Sequence, residues 1–162
     1  MQSYKEYFDK EYFEKQLKEA DKVRKEIILK ELKELNAERI IIFGNPITKK
    51  NHSQIIKAGN RRIIIPSKQY KKYESDFVAQ CIKLGVYGKN LSKRLNIACI
   101  YYMQTRRKVD LTNLLSATMD CLVKAKVIED DNCKIAYSHD GSRVFYDKEN
   151  PRVEITITEV EQ

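Results

Sequence analysis

The stretch Leu95-Asn-Ile-Ala-Cys-Ile-Tyr-Tyr-Met103, then Gln104-Thr-Arg-Arg-Lys-Val-Asp110, then Leu111-Thr-Asn-Leu-Leu-Ser-Ala-Thr-Met-Asp-Cys-Leu-Val-Lys124, decides the fold. The first nine residues are rich in β-branched and aromatic side chains and predict a strand. Asp110 or Thr112 opens a helix that the apolar spacing carries to about Lys126. Between them lies the basic run Arg106-Arg107-Lys108. Working outward, Ile40-Ile41-Ile42-Phe43 reads as a short buried strand stopped by Gly44-Asn45-Pro46. Residues 53–58 and 61–65 read as a hairpin around Ala58-Gly59-Asn60. Ser67 caps a helix to about Leu84, with Tyr70, Tyr73, Phe77 and Cys81 on one side and Gly85 and Gly88 at its end. Downstream, Lys134–Tyr137 and Arg143–Tyr146 are strands around Ser138-His139-Asp140-Gly141, and Arg152–Val160 is the last strand. This order implies an α+β fold, a mixed β-sheet with flanking helices.

Ahead of this body, residues 4 to about 36 predict one long amphipathic helix. Phe13, Leu17, Ala20, Val23, Ile27, Leu32 and Leu35 recur at three- and four-residue steps, with Glu and Lys filling the other faces. Residues 1–37 are therefore expected to form a helical appendage, and 38–162 the main domain.

The chain of 162 residues suffices for one ordinary core. Thirty-one basic against 23 acidic residues leave a net charge of +8, which points to an anionic partner, nucleic acid first. No apolar run reaches the roughly 18 residues of a membrane span, and no signal peptide opens the chain, so a cytoplasmic location is expected. Cys81, Cys99, Cys121 and Cys133 form no C-x-x-C pair and read as buried free thiols. His52 and His139 do not make a ligand spacing.

Acidic residues are set into the most basic part of this basic chain: Asp110 just after Arg106-Arg107-Lys108, then Asp120, then Glu129-Asp130-Asp131-Asn132. Carboxylates on a phosphate-binding surface oppose binding unless they hold a divalent cation that activates the phosphodiester. Asp110 is also a natural N-cap, and Asp130-Asp131-Asn132 a natural polar turn. Asp120, ten residues into the helix, lies roughly 15 Å from Asp110 and is expected to support the site or to pair with a basic residue. Asp110 and Asp131 meet if the chain folds back or if two chains share a site; the sequence leaves both open. Lys49-Lys50 and Arg61-Arg62 are further basic pairs suited to phosphate contact.

Taken together, Gly-Asn-Pro-x-x-Lys-Lys (44–50), Pro66-Ser67-x-x-Tyr70-x-x-Tyr73-Glu74, Asp110-Leu-x-Asn113, Asp120-x-Leu122 and Glu129-Asp130-Asp131-Asn132 resemble the RusA-type Holliday-junction resolvases, mostly phage and prophage enzymes. The resemblance covers roughly residues 39–160. It implies a homodimeric, Mg²⁺-dependent endodeoxyribonuclease that nicks four-way DNA junctions in recombination and repair. It places the catalytic acids at Asp110 and Asp131, both as metal ligands, with Asp130 beside the latter. Thr112, Asn113 and Asp120 would support the site, and Lys49, Lys50, Arg61, Arg62, Arg106, Arg107, Lys108 and Arg143 would contact DNA. Two positions depart from the family's pattern. Thr112 stands where a second Asp is usual, and Ser116 where a Lys is usual. The first removes a carboxylate beside the metal and the second a cation beside the phosphate. Asp140 or Arg143 could supply part of what is missing. An alternative reading keeps the fold and the branched-DNA surface with catalysis impaired.

Overall fold

The computed structural model describes residues 21–24, 26–27, 37–49 and 53–161. The chain divides into two compact units, Met1–Ala37 and Glu38–Gln162. In the first, residues 21–24 and 26–27 are helical; the rest of the helix expected over 4–36 lies outside the described residues. The second unit carries seven strands and two helices in the order β1 (Ala37–Phe43), β2 (Ser53–Ala58), β3 (Arg61–Pro66), α1 (Lys68–Lys83), β4 (Leu95–Met103), α2 (Leu111–Lys124), β5 (Ala136–Ser138), β6 (Arg143–Tyr146) and β7 (Arg152–Glu159).

The main sheet runs β1-β7-β4, and β4 then pairs with β5 near its start and β6 near its end. β4 is antiparallel to β7 and parallel to β5 and β6, so the sheet is mixed as expected. β2 and β3 form a separate antiparallel hairpin with Ala58 opposite Arg61. Gly59, at φ +62°, takes the turn position that a side chain would strain.

Alternation along the strands selects one buried face. Leu95, Ile97, Cys99 and Tyr101 of β4 join Val153, Ile155 and Ile157 of β7 and Ile40 and Ile42 of β1. Two helices complete this core. α1 contributes Tyr70, Tyr73, Phe77 and Cys81, and α2 contributes Leu114, Ala117, Thr118, Cys121 and Leu122, both at helical spacing. The Tyr101 hydroxyl and Thr118 Oγ1 lie 2.8 Å apart inside it, tying β4 to α2 at a fixed register. The Lys124–Glu74 ion pair joins the helices at the surface, where such pairs contribute about 0–1 kcal/mol. Burial of a ring such as Phe77 contributes about 2–3 kcal/mol, so packing rather than charge positions the helices.

Both helix ends have local causes. The Ser67 hydroxyl accepts from Tyr70 N at 3.1 Å, as its N-cap position predicts. Gly85, at φ +70°, closes α1, with Gly85 N bonded to Ile82 O and Val86 N to Cys81 O. α2 stops two residues before the expected end. Lys126 adopts φ +51°, and Lys126 N and Val127 N return to Val123 O and Leu122 O. That termination uses the glycine geometry without a glycine, so no sequence signal marks it. The strand expected at Lys134–Tyr137 is shorter and later, because Ile135 N and Ala136 N both turn back to Asn132 O. One thiol also departs from expectation. Burial pushes Cys81, Cys99 and Cys121 up to about 11, 12 and 12, but Cys133 is exposed, in the turn after Asn132. No helix of the described residues is long and apolar enough to cross a membrane.

Tyr101→Phe is expected to cost about 1–3 kcal/mol, because it leaves the Thr118 hydroxyl buried without its partner. Adding Thr118→Val should recover most of that loss. Chemical denaturation of the two variants checks both, and equal losses would show that the pair does not couple.

Candidate active site

Asp110 occupies the N-cap position of α2 with extended backbone, and its carbonyl accepts from Asn113 N and Leu114 N. Its carboxylate does not cap the helix. Instead Oδ2 accepts from the Asn113 side-chain amide at 3.0 Å, and the residue is exposed. An ordinary capping aspartate would bond a backbone N–H of the first turn. Here Asn113 orients the carboxylate, and its other oxygen is left toward solvent.

The basic run leads directly into this residue. Arg106, Arg107 and Lys108 are exposed. The Arg106 guanidinium lies 4.3 Å from the Tyr146 ring centroid, at the end of β6 that pairs with Met103. Arg143, at the other end of β6, is exposed, and its Nε donates to Gly141 O at 3.3 Å. Thr112 and Ser116 are both exposed and stand four residues apart, hence on one helix face with Asp120. Asp120, expected as a supporting acid, pairs at 3.2 Å with Lys49, one of the expected DNA-binding lysines. Arg61 and Arg62 are exposed on the separate hairpin; Lys50 lies outside the described residues.

Asp130 and Asp131 follow the other end of α2. Asp130 is used by its own turn: Oδ1 accepts from Asp131 N at 2.8 Å and Oδ2 from the Asn132 amide at 2.6 Å. The Asn132 amide and then the Asp131 N–H hold its carboxyl below the usual aspartate range, although it is fully exposed. Asp131 is exposed beside it. The segment is anchored by Glu129 N to Leu91 O and by Leu95 N to Ile135 O, which puts it at the start of β4. Asp110 lies seven residues beyond the end of β4. The 14 residues of α2 span about 21 Å. Asp110 and Asp131 thus lie beyond opposite ends of α2. Among the described residues, no group of three or more acidic, histidine or cysteine side chains converges.

Residues 44–158 match the family model of the endodeoxyribonuclease RusA. The chain belongs to the RusA endodeoxyribonuclease family. The match begins at the glycine that ends β1 and closes within β7, so it takes in both helices and both acidic segments. A search of curated proteins finds no match.

A further basic group beside the segment that follows Asp131 carries no motif that marks it in the sequence. Ser92, Lys93 and Arg94 precede β4, and Lys134 follows Cys133; together they line one pocket. Forty residues separate the two segments, and the pairing of β4 with β5 makes them neighbours.

The depressed Asp130 carboxyl sets a pH window. The turn's stabilisation is present above the ordinary aspartate value and is lost as pH falls through the lower folded value, so it should loosen only below about pH 4. An NMR titration should place Asp130 below the ordinary aspartate value. Asn132→Ala should move it upward, and no movement would remove the amide as the cause.

Proposed function

We propose that this RusA-family chain is a Mg²⁺-dependent endonuclease that resolves four-way DNA junctions as a homodimer, with each metal site shared between two protomers. The observation that carries this reading is the placement of its two candidate ligands. Asp110 keeps its carboxylate out of the helix cap and exposed at the start of α2, whereas Asp131 follows the other end of this helix, which spans about 21 Å. Pairing through a symmetric dimer would supply Asp110 from one protomer and Asp131 from the other, twice. Two exposed carboxylates are hard oxygen donors and suit an ion that keeps much of its water shell.

Bound there, Mg²⁺ would supply Lewis acidity to a phosphoryl oxygen and lower the pKa of the attacking water. The chain's own groups do the rest. Asn113 fixes the Asp110 carboxylate. Arg106, Arg107 and Lys108 seat the backbone phosphates next to it. Thr112 leaves the helix start with one carboxylate fewer than the family pattern. The cation usual at Ser116 has a counterpart in Lys49, held one turn further along the same stripe by Asp120. Asp130 acts through the turn that presents Asp131. Residues 1–37 lie outside the family match.

Mixing Asp110→Asn with Asp131→Asn protein tests the shared site. Each variant alone should bind a synthetic junction without nicking it. Half the dimers of an equal mixture carry one fully native site, so nicking should return to about a quarter of the native rate. No recovery would put both ligands within one chain. A tight, uncut complex from the native protein would instead make the chain a binding protein.

Junction binding should also be steeply salt-dependent. Replacing Arg106 and Arg107 with Ala should flatten the log–log slope by about one to two units, and an unchanged slope would turn that run away from the DNA.

A further inference from the structure

A pocket of about 650 Å³ opens between the segment that enters β4 and the turn that follows Asp131. Ser92, Lys93, Arg94, Cys133, Lys134 and Tyr137 line it. Three of these side chains are cationic and none is a carboxylate. We propose that it is a second phosphate site, one that takes a backbone phosphodiester of the DNA strand passing Asp131. The inference rests on the nucleic-acid reading above and adds to it a ligand class and a place.

The pocket is built on paired backbone. Leu95 N bonds Ile135 O, and Val160 N bonds Arg94 O, both at 2.8 Å. These two bonds join the loop before β4, the segment before β5 and the end of β7. The Arg94 guanidinium lies 4.5 Å from the Tyr137 ring centroid. Stacking restrains its plane while its N–H donors stay free for an acceptor. Among the described residues, no carboxylate pairs with Arg94 or Lys134, whereas Lys93 pairs with Glu159 at 2.7 Å. One cation is thus balanced and two are not. Guanidinium, ammonium and the Ser92 hydroxyl are all donors, the set that phosphate oxygens accept from. A water occupies roughly 30 Å³, so the space admits a phosphodiester with part of its hydration.

Position makes the site relevant to cleavage. Cys133 is two residues from Asp131, so their Cα atoms are within about 7 Å. A phosphate in the pocket would therefore be a near neighbour of the one at Asp131. Arg106–Lys108 serve the opposite end of α2. In a shared site the two cationic groups, one from each protomer, would lie on either side of the reacting phosphate.

Cys133 supplies the test, because it lines the pocket and the other three thiols are buried. Its alkylation by N-ethylmaleimide is followed by mass spectrometry in the full-length protein, without Mg²⁺, with and without a saturating synthetic four-way junction. The junction is expected to slow Cys133 alkylation severalfold. Lys93→Ala/Arg94→Ala, and separately Lys134→Ala, should weaken that protection at the same occupancy and lower the salt slope by about one unit for each phosphate no longer neutralised. Full junction binding with unchanged alkylation, or protection that survives both variants, overturns the pocket and leaves the nuclease reading standing. Failure of the native protein to bind the junction overturns both.

Discussion

One straight helix governs this molecule. α2 is fixed to β4 by the Tyr101–Thr118 contact and by its buried face, and it is 14 residues long. Its 14 residues span about 21 Å, with one acidic segment at its start and the other beyond its end. Everything proposed about function follows from this separation. The shared-site proposal rests on this arrangement and on the exposed, non-capping Asp110 carboxylate.

The scaffold that imposes the separation is held by packing. The alternating residues of β1, β4 and β7 present one apolar face, and α1 and α2 cover it with aromatic and aliphatic side chains at helical spacing. The opposite face is half-buried and polar in part. There Arg152 of β7, Tyr102 of β4 and Phe145 of β6 stand in register as one row, with the guanidinium 3.7 Å from the Tyr102 ring centroid and the two rings stacked at 5.7 Å. Asp147 and Glu154 bind the same guanidinium. This row braces β6 against β4, and β6 in turn carries Tyr146, on which Arg106 rests. The basic run before Asp110 is thus supported by the sheet rather than left as a loose loop.

Charge is distributed to match. Lys49 and Asp120 neutralise one another along the outer stripe of α2, while Arg106–Lys108 at one end and Arg94 with Lys134 at the other have no carboxylate partner among the described residues. Each end of the helix thus carries cations beside an aspartate. The RusA family match spans both of them.

Much of this was legible in the chain itself, because local rules governed it. β-Branched and aromatic content marked β4, near period-two alternation marked β7, the three- and four-residue spacing of Tyr70, Tyr73, Phe77 and Cys81 marked α1, and Ser67 and Gly85 marked its ends. The acids within a basic context, and their family spacing, singled out Asp110 and Asp131. Where a boundary moved, a non-local or unmarked cause was at work: Lys126 adopts the left-handed region without being glycine, and the Asn132 turn shortens β5. Asp110 is not a capping side chain, because Asn113, three residues on, binds it, a local choice that residue types alone did not settle. Tertiary structure alone decided two matters. Asp120 is neutralised by a lysine 71 positions away. Ser92–Arg94 meet Cys133–Tyr137 because β4 and β5 pair. Sequence sets the types and periods of residues, but distances between remote segments follow from the register of strands and the rigid length of a helix.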